Sequence, residues 1–480
     1  MKSLFKEQNR PYKVLWFGDL VAPSGFGRIG IEVGKRLSQR GYQVQGAAIN
    51  YTGWPHSLPL QWVWPLGERD IFGGLVNVVN QFQPDLIISC QDFPYHQTIW
   101  NACKIDFSRV KWVWITPIDG VPVHPDWLQL VDFADGCMVI SRFGVEAVRQ
   151  AGKRVNLCHP GVDTTEFYPA ETEEKNKFRA MMGYSPEDFI IGSMCMNQGR
   201  KAISKMVEGF FDFAVDKSNA RLYLDMDKVS PAGWDIPALL KQMKLSEDDQ
   251  KRVKYREDAF KASEEVMKAT PDLPPTMTLL PLRNRYVMLD LHIVLSHREG
   301  FGLPLLESQA CHIPAMALDW CSGTEICGDG KGYLIPKIDY MEYGTWGGAK
   351  DAFPNMTQVG TALGRAYYDS IDRAAISQRG YEWAITNTWD KATDAVEEVI
   401  QIALNRSRKD RPQHHDTPTV PTSGLSDTHS LTYNPSIEHA YHSAAPAIGD
   451  NPVLPESGGA HQMPEIGSGD GDRSGEAGTA

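Results

Sequence analysis

The sequence predicts an α/β protein made of two Rossmann-like doubly wound domains that face a central cleft. Short β-branched and aromatic runs alternate with helical patterns, as parallel α/β layers require. That rhythm restarts near residue 183, and 480 residues are enough for two separate cores.

The first half offers strands at 13–20 (KVLWFGDL), 42–50, 85–90, 111–116 and 136–141, with a Gly-rich loop and then a helix at 29–41 behind the first. DFIIGSMCM (188–196) opens the second half. A long helix is expected from Lys201, with strands at 220–226, 276–281, 291–296 and 314–319. The polar, helix-rich stretch 238–270 reads as surface decoration, and WDKATDAVEEVIQIALN (389–405) as a closing helix. The expected boundaries are 1–182 for an N-terminal, acceptor-side domain, 183–388 for a C-terminal domain, 389–406 for the final helix near the domain junction, and 407–480 for a tail. That tail holds four basic and ten acidic residues among Pro, Gly, Ser, Thr and His. Its composition predicts disorder, because it cannot bury enough apolar surface to offset the entropy of ordering.

Net charge is -12, from 48 Lys+Arg against 60 Asp+Glu. Half of it belongs to the tail, so the folded part is only mildly acidic, which disfavours long nucleic acid as a partner. No stretch is long and apolar enough to predict a membrane span. The eight cysteines form no C-x-x-C pair, so neither zinc nor a disulfide framework is signalled and a reducing cytoplasm is expected.

Gly25-Phe26-Gly27-Arg28-Ile29-Gly30 matches G-x-G-x-x-G between a strand and a helix. A dinucleotide fingerprint places its first Gly directly after the strand and an acid about 20 residues on. Here Asp19 to Ser24 intervene and the second strand ends at Asn50. The motif stays open between a structural turn, a loop facing a diphosphate or acceptor, and a site for NAD or NADP. Asp225-Met226-Asp227 is read as a polar strand end rather than a metal site. Eight of the thirteen tryptophans lie between Trp16 and Trp127. Most fit a core, while Trp54, Trp62 and Trp127 fall on loops where they are placed to stack on an acceptor ring.

In Ser296-His297-Arg298-Glu299-Gly300-Phe301-Gly302-Leu303-Pro304-Leu305-Leu306-Glu307, two glutamates stand eight positions apart, one in a loop and one in the helix that follows. A loop glutamate accepts hydrogen bonds from sugar hydroxyls, and a helix glutamate can hold both hydroxyls of a ribose. Residues 289–302 with the E-x7-E spacing resemble the "S..EGFG" run of the retaining, glycogen-synthase-like group 1 glycosyltransferases, which have the GT-B fold. His159-Pro160-Gly161-Val162-Asp163 is similar to that family's interdomain segment, and Asn197-Gln198-Gly199-Arg200-Lys201 to its phosphate-binding loop. Together the matches cover about residues 12 to 405.

The resemblance implies a metal-independent enzyme that moves a sugar from a nucleotide diphosphate sugar, with no further cofactor. Lys201, Arg200 and Asn197 would meet the donor diphosphate, Glu299 the donor sugar and Glu307 the ribose. Gly300, Phe301, Gly302 and Leu303 would supply backbone contacts, and Gly25 and Gly27 would face them across the cleft. Where many members have a histidine near the reacting carbon, this chain reads Ile115-Thr116-Pro117-Ile118-Asp119-Gly120, so Asp119 takes the catalytic place, with His124 as the alternative. Met196-Asn197 replaces the commoner Gly-Arg, Pro281 to Met288 is shorter than the family's helix, and His312 stands where a Gly is usual. The acceptor stays open among sugar, lipid, protein and modified nucleobase, as does the oligomeric state. A nicotinamide-dependent oxidoreductase and a catalytically silent nucleotide-sugar binder are the alternatives.

Overall fold

The computed structural model describes residues 10–406, apart from 22–23, 54–55, 57, 59, 61, 67–69, 270–280 and 344–347. The tail at 407–480, Trp54 and most of the strand expected at 276–281 lie outside the described residues.

The first sheet is formed by β1 (Lys13–Gly18), β2 (Gln43–Ala48), β3 (Trp62–Pro65), β4 (Leu86–Cys90), β5 (Lys111–Thr116), β6 (Gly136–Val139) and β7 (Asn156–Leu157). Its order is β3-β2-β1-β4-β5-β6-β7, and every pairing is parallel. The second sheet contains β8 (Phe189–Met194), β9 (Ala220–Asp225), β10 (Val253–Tyr255), β11 (Leu291–Val294), β12 (Ala315–Leu318) and β13 (Tyr333–Ile335). Its order, β10-β9-β8-β11-β12-β13, repeats the first six positions of the other. An antiparallel pair, β14 (Lys337–Tyr343) and β15 (Ala349–Pro354), follows.

Strands β1, β4, β5 and β8 are almost continuously buried. Helices cover both faces of a parallel sheet, so its central strands read as unbroken apolar runs. Two expectations need correction. The stretch 238–270 is not mere decoration, because Val253–Tyr255 is the edge strand of the second sheet. The first helix runs over Gly25–Gln39, so Gly25 and Gly27 belong to its first turns rather than to a loop before it. Ser24 sets that start: its hydroxyl accepts from the Gly27 amide at 3.0 Å and donates to Asp19 at 2.8 Å. Gly30 is needed for packing, since a Cβ there would lie 2.7 Å from Leu20 and 2.8 Å from the Trp16 indole nitrogen.

The helix Trp389–Asn405 returns to the first sheet. Arg40 reaches Glu397 at 2.7 Å, and the Lys111 ammonium donates to the Arg406 carbonyl at 2.7 Å. Its approach is fixed at the interdomain segment, where the Val162 amide donates to the Asn387 carbonyl at 2.9 Å. A Cβ on Gly161 would fall 2.2 Å from the Trp389 nitrogen. Gly161→Ala is therefore expected to cost about 3 kcal/mol, since backbone on both sides must shift. Urea denaturation should show this as a lower midpoint with an unchanged slope.

Candidate active site

In an open doubly wound sheet, ligands bind beyond the carboxyl ends of the strands where the strand order reverses. That point lies between β1 and β4 in the first sheet and between β8 and β11 in the second. The loop after β5 and the start of the first helix meet the segments that follow β11 and β12. A Cβ on Gly300 would lie 2.5 Å from Pro117, one on Gly25 would touch Leu303 at 3.9 Å, and the Cys321 thiol donates to the Asp119 carbonyl at 3.0 Å. The sheets thus face each other through their carboxyl ends.

On the C-terminal side, the loop after β8 ends in a single 3-10 turn, Gly199–Lys201, and the long helix begins at Ile203 rather than Lys201. Ala202 makes the break in left-handed conformation, with φ 52°. The turn delivers the Lys201 ammonium onto Glu299 Oε2, which also accepts from the Ser296 hydroxyl at 3.0 Å and lies 3.6 Å from Arg200. Two further bonds lock the loops together: the His297 amide donates to the Arg200 carbonyl at 2.8 Å, and Arg200 Nη1 donates to the Arg298 carbonyl at 3.1 Å. Burial alone would raise the Glu299 pKa, but Lys201 and Arg200 more than compensate and hold it below the ordinary carboxylate value.

Gly302 adopts φ 101° and opens the helix Leu303–Ala310 without a side-chain cap. The Leu305 and Leu306 amides already donate to the Gly302 carbonyl and Pro304 has no N–H, which leaves the Leu303 amide for an incoming anion. Within that helix, Glu307 is buried and accepts from the Tyr286 hydroxyl at 2.8 Å. Burial pushes its pKa up to about 7 against the opposing pull of Arg28 and Tyr286, with Glu166 adding to the rise. Arg28, from the first helix, faces it while holding Glu166 at 2.7 Å.

Three predicted residues carry their side chains elsewhere. Asn197 spends its amide on the 227–234 loop, donating to the Asp227 and Trp234 carbonyls at 3.0 and 2.8 Å and accepting from the Trp234 amide at 2.9 Å. The Phe301 ring is buried edge-on against His159, 4.7 Å between centroids, so only its backbone borders the cleft. His124 caps the helix Pro125–Phe133, its Nδ1 accepting from the Asp126 amide at 3.1 Å. His312 has φ 60°, the left-handed region that explains why a glycine is usual there. Two of the tryptophans expected on loops are not on loops: Trp62 opens β3 and is exposed, and Trp127 lies in the helix Pro125–Phe133, stacked on Phe93 at 4.9 Å. Asp225 is satisfied by Arg256 at 2.7 Å and Arg285 at 2.6 Å.

On the N-terminal side, aspartates follow three neighbouring strands: Asp19 after β1, Asp92 after β4 and Asp119 after β5. Asp19 is held by Ser24 and by the Asn50 amide at 3.1 Å, so Asn50 is tied inside the protein. Asp92 has no side-chain hydrogen bond or ion pair among the described residues. It is open to solvent yet hemmed in by the cleft, and that crowding, reinforced by Asp119, pushes its pKa up to about 6 while Arg200 opposes the rise. Its backbone is steadied by buried His96, which receives the Ser89 hydroxyl on Nδ1 at 2.9 Å and donates from Nε2 to the Gln91 carbonyl at 2.9 Å in the tautomer these partners imply. Burial drops the His96 pKa to about 4, keeping it neutral. The sequence reading missed Asp92, because one aspartate after one strand is unremarkable until the sheet order puts it beside Asp119.

Residues 281–343 match the family model described as glycosyl transferases, group 1. The D-inositol 3-phosphate glycosyltransferase of Mycobacteroides abscessus is 26% identical over 193 residues, 39% of this chain. The matched part spans 38% of that relative's length. Sucrose-phosphate synthase from Thermosynechococcus elongatus is similar over 81% of this chain and 98% of its own, with a TM-score of 0.62 and 16% identity. HepE of Anabaena in complex with UDP-glucose is similar over 81% and 99%, with a TM-score of 0.59 and 16% identity. The fold is GT-B.

The largely buried Lys201–Glu299 pair makes its own prediction. Lys201→Met strands a carboxylate and should destabilise the protein by about 3 kcal/mol, whereas adding Glu299→Gln should recover a large part of the loss. A double-mutant cycle in urea measures both.

Proposed function

With the group 1 glycosyl transferase segment set in a GT-B fold as the premise, we propose that this chain transfers a sugar from a nucleotide diphosphate sugar to an acceptor hydroxyl, retaining the anomeric configuration and using no metal. On this reading 1–182 is the acceptor-side domain and 183–388 the nucleotide-sugar domain. The observation that carries the proposal is the approach of Asp92, at the first sheet's switch point, and Asp119, after the neighbouring β5, to Arg200, which stands with Lys201 and Glu299 at the second switch point.

The donor diphosphate would lie on Lys201, Arg200 and the Leu303 amide, with the ribose on Glu307 and the transferred sugar against Glu299. As the bond from C1 to the phosphate oxygen breaks, negative charge grows on the diphosphate, and these fixed donors stabilise it without reorganising. The acceptor oxygen forms its bond to C1 on the same face and gives its proton to the departing phosphate oxygen. Asp119, with Asp92 beside it, orients the acceptor or sugar. We assign charge neutralisation to Lys201 and Arg200 because the nearby D-x-D aspartate, Asp225, is already paired with two arginines. The nicotinamide reading loses its footing at Asn50, whose side chain is occupied by Asp19.

UDP-glucose, the ligand of one structural neighbour, is the first probe. A thermal-shift and hydrolysis panel of UDP, GDP and ADP sugars against NAD and NADP is expected to show stabilisation by at least one nucleotide sugar, lost in Glu307→Ala. Stabilisation by nicotinamide cofactors alone would overturn the proposal. A ribose hydroxyl donates to the ionised form of Glu307, so binding favours the carboxylate. Affinity for UDP-glucose should therefore fall roughly tenfold as pH drops from about 8 to about 6, while Glu307→Gln binds weakly with a flat profile. Calorimetric titration across that range checks both.

A further inference from the structure

Strand β15 (Ala349–Pro354) is bonded to both of the loops that carry Asp119 and Glu299. The Lys350 amide donates to the Val121 carbonyl, in the loop after β5, at 3.1 Å, and the Ala352 amide donates to the His297 carbonyl, in the loop after β11, at 3.0 Å. Amides two residues apart in a strand point to the same side, so a single edge of β15 holds both loops. The His297 ring adds a bond from Nδ1 to the Ala352 carbonyl at 2.8 Å, in the tautomer that this partner implies. A Cβ on Gly120, next to Asp119, would lie 3.3 Å from the Ala349 Cβ, so the strand rests directly on that loop.

Between the two bonded amides stands Asp351, 3% exposed and paired with Arg298 Nε at 2.7 Å. Arg298 immediately precedes Glu299. Its carbonyl accepts from Arg200 at 3.1 Å, and its Cδ lies 3.9 Å from where a Cβ on Gly120 would be. A buried ion pair gains little stability over an apolar pair of the same shape, because desolvation offsets the attraction, but it fixes register. With Asp351 seated on Arg298, β15 cannot slide along either loop without stranding two charges. The segment after β12 makes an uncharged crossing of its own, from Cys321 to the Asp119 carbonyl at 3.0 Å and from Ser322 to the Glu299 carbonyl at 2.8 Å. That crossing stays in place when the charged one is removed.

We propose that β15 braces the cleft and that Asp351 is the positioning residue that locks the brace, fixing the spacing of Asp119 and Glu299 for sugar transfer. The proposal rests on the glycosyltransferase reading and adds to it a residue that acts through others.

The test compares the full chain with Asp351→Asn, which keeps the side-chain size and removes the charge. The double variant Asp351→Asn, Arg298→Gln strands no charge and serves if the single one fails to fold, folding being checked by thermal unfolding. With whichever of UDP-, GDP- and ADP-glucose the wild type hydrolyses fastest, kcat is expected to fall about tenfold in the folded variant while KM changes less than about twofold. Amide hydrogen exchange across 348–355 is expected to quicken about tenfold, with β1 and β8 unchanged. The proposal falls if a folded variant keeps the wild-type kcat, if KM rises as much as kcat falls, or if 348–355 exchanges at the wild-type rate. Absence of hydrolysis by the wild type would instead count against the transfer reading, and the exchange measurement would still decide the brace.

Discussion

The site depends on one ion pair, Lys201 with Glu299, set where the loops after β8 and β11 converge. Both partners are largely withdrawn from water, with side chains 10% and 16% exposed, and an isolated charge there would carry several kcal/mol of desolvation cost. Arg200, Ser296 and the crossed backbone bonds at His297 and Arg298 complete the environment and hold Glu299 ionised. The same geometry leaves a locally basic floor where the first turn of a helix lacks a capping side chain. On the proposed reading a diphosphate fits such a floor because it brings the negative charge that a lysine, an arginine and the Leu303 amide would meet.

A second constraint keeps the two sheets face to face. Gly300 allows the loop after β11 to rest on Pro117, and Gly161 lets its segment pass directly beneath the start of the last helix. That helix then binds back onto the first sheet through Arg40, Lys111 and Arg406. The chain therefore crosses between halves twice within a short distance, and packing at those crossings decides how closely Asp92 and Asp119 approach Glu299.

Much of this was legible in the sequence, for physical reasons. Central parallel strands are buried on both faces, so β1, β5 and β8 stand out as apolar runs, and Trp389–Asn405 carries a helical stripe behind its Thr388 cap. Edge strands are short, two to four residues each, which is why β3, β7, β10 and β13 escaped notice and 238–270 looked like decoration. The E-x7-E spacing was legible because both glutamates lie within one strand-loop-helix unit. Asn197 and His124 misled because an amide or imidazole in a loop is as useful for tying backbone as for binding a ligand. Asp92 was invisible because its meaning comes from the strand order β1-β4-β5, which spacing along the chain does not encode.

A crystal structure of the chain soaked with UDP tests the central claim most directly. A diphosphate bridging Lys201, Arg200 and the Leu303 amide, with the ribose hydroxyls on Glu307, is the expected result. A diphosphate seated instead on the Gly25–Gly30 turn, with the ribose toward Asn50, would contradict it.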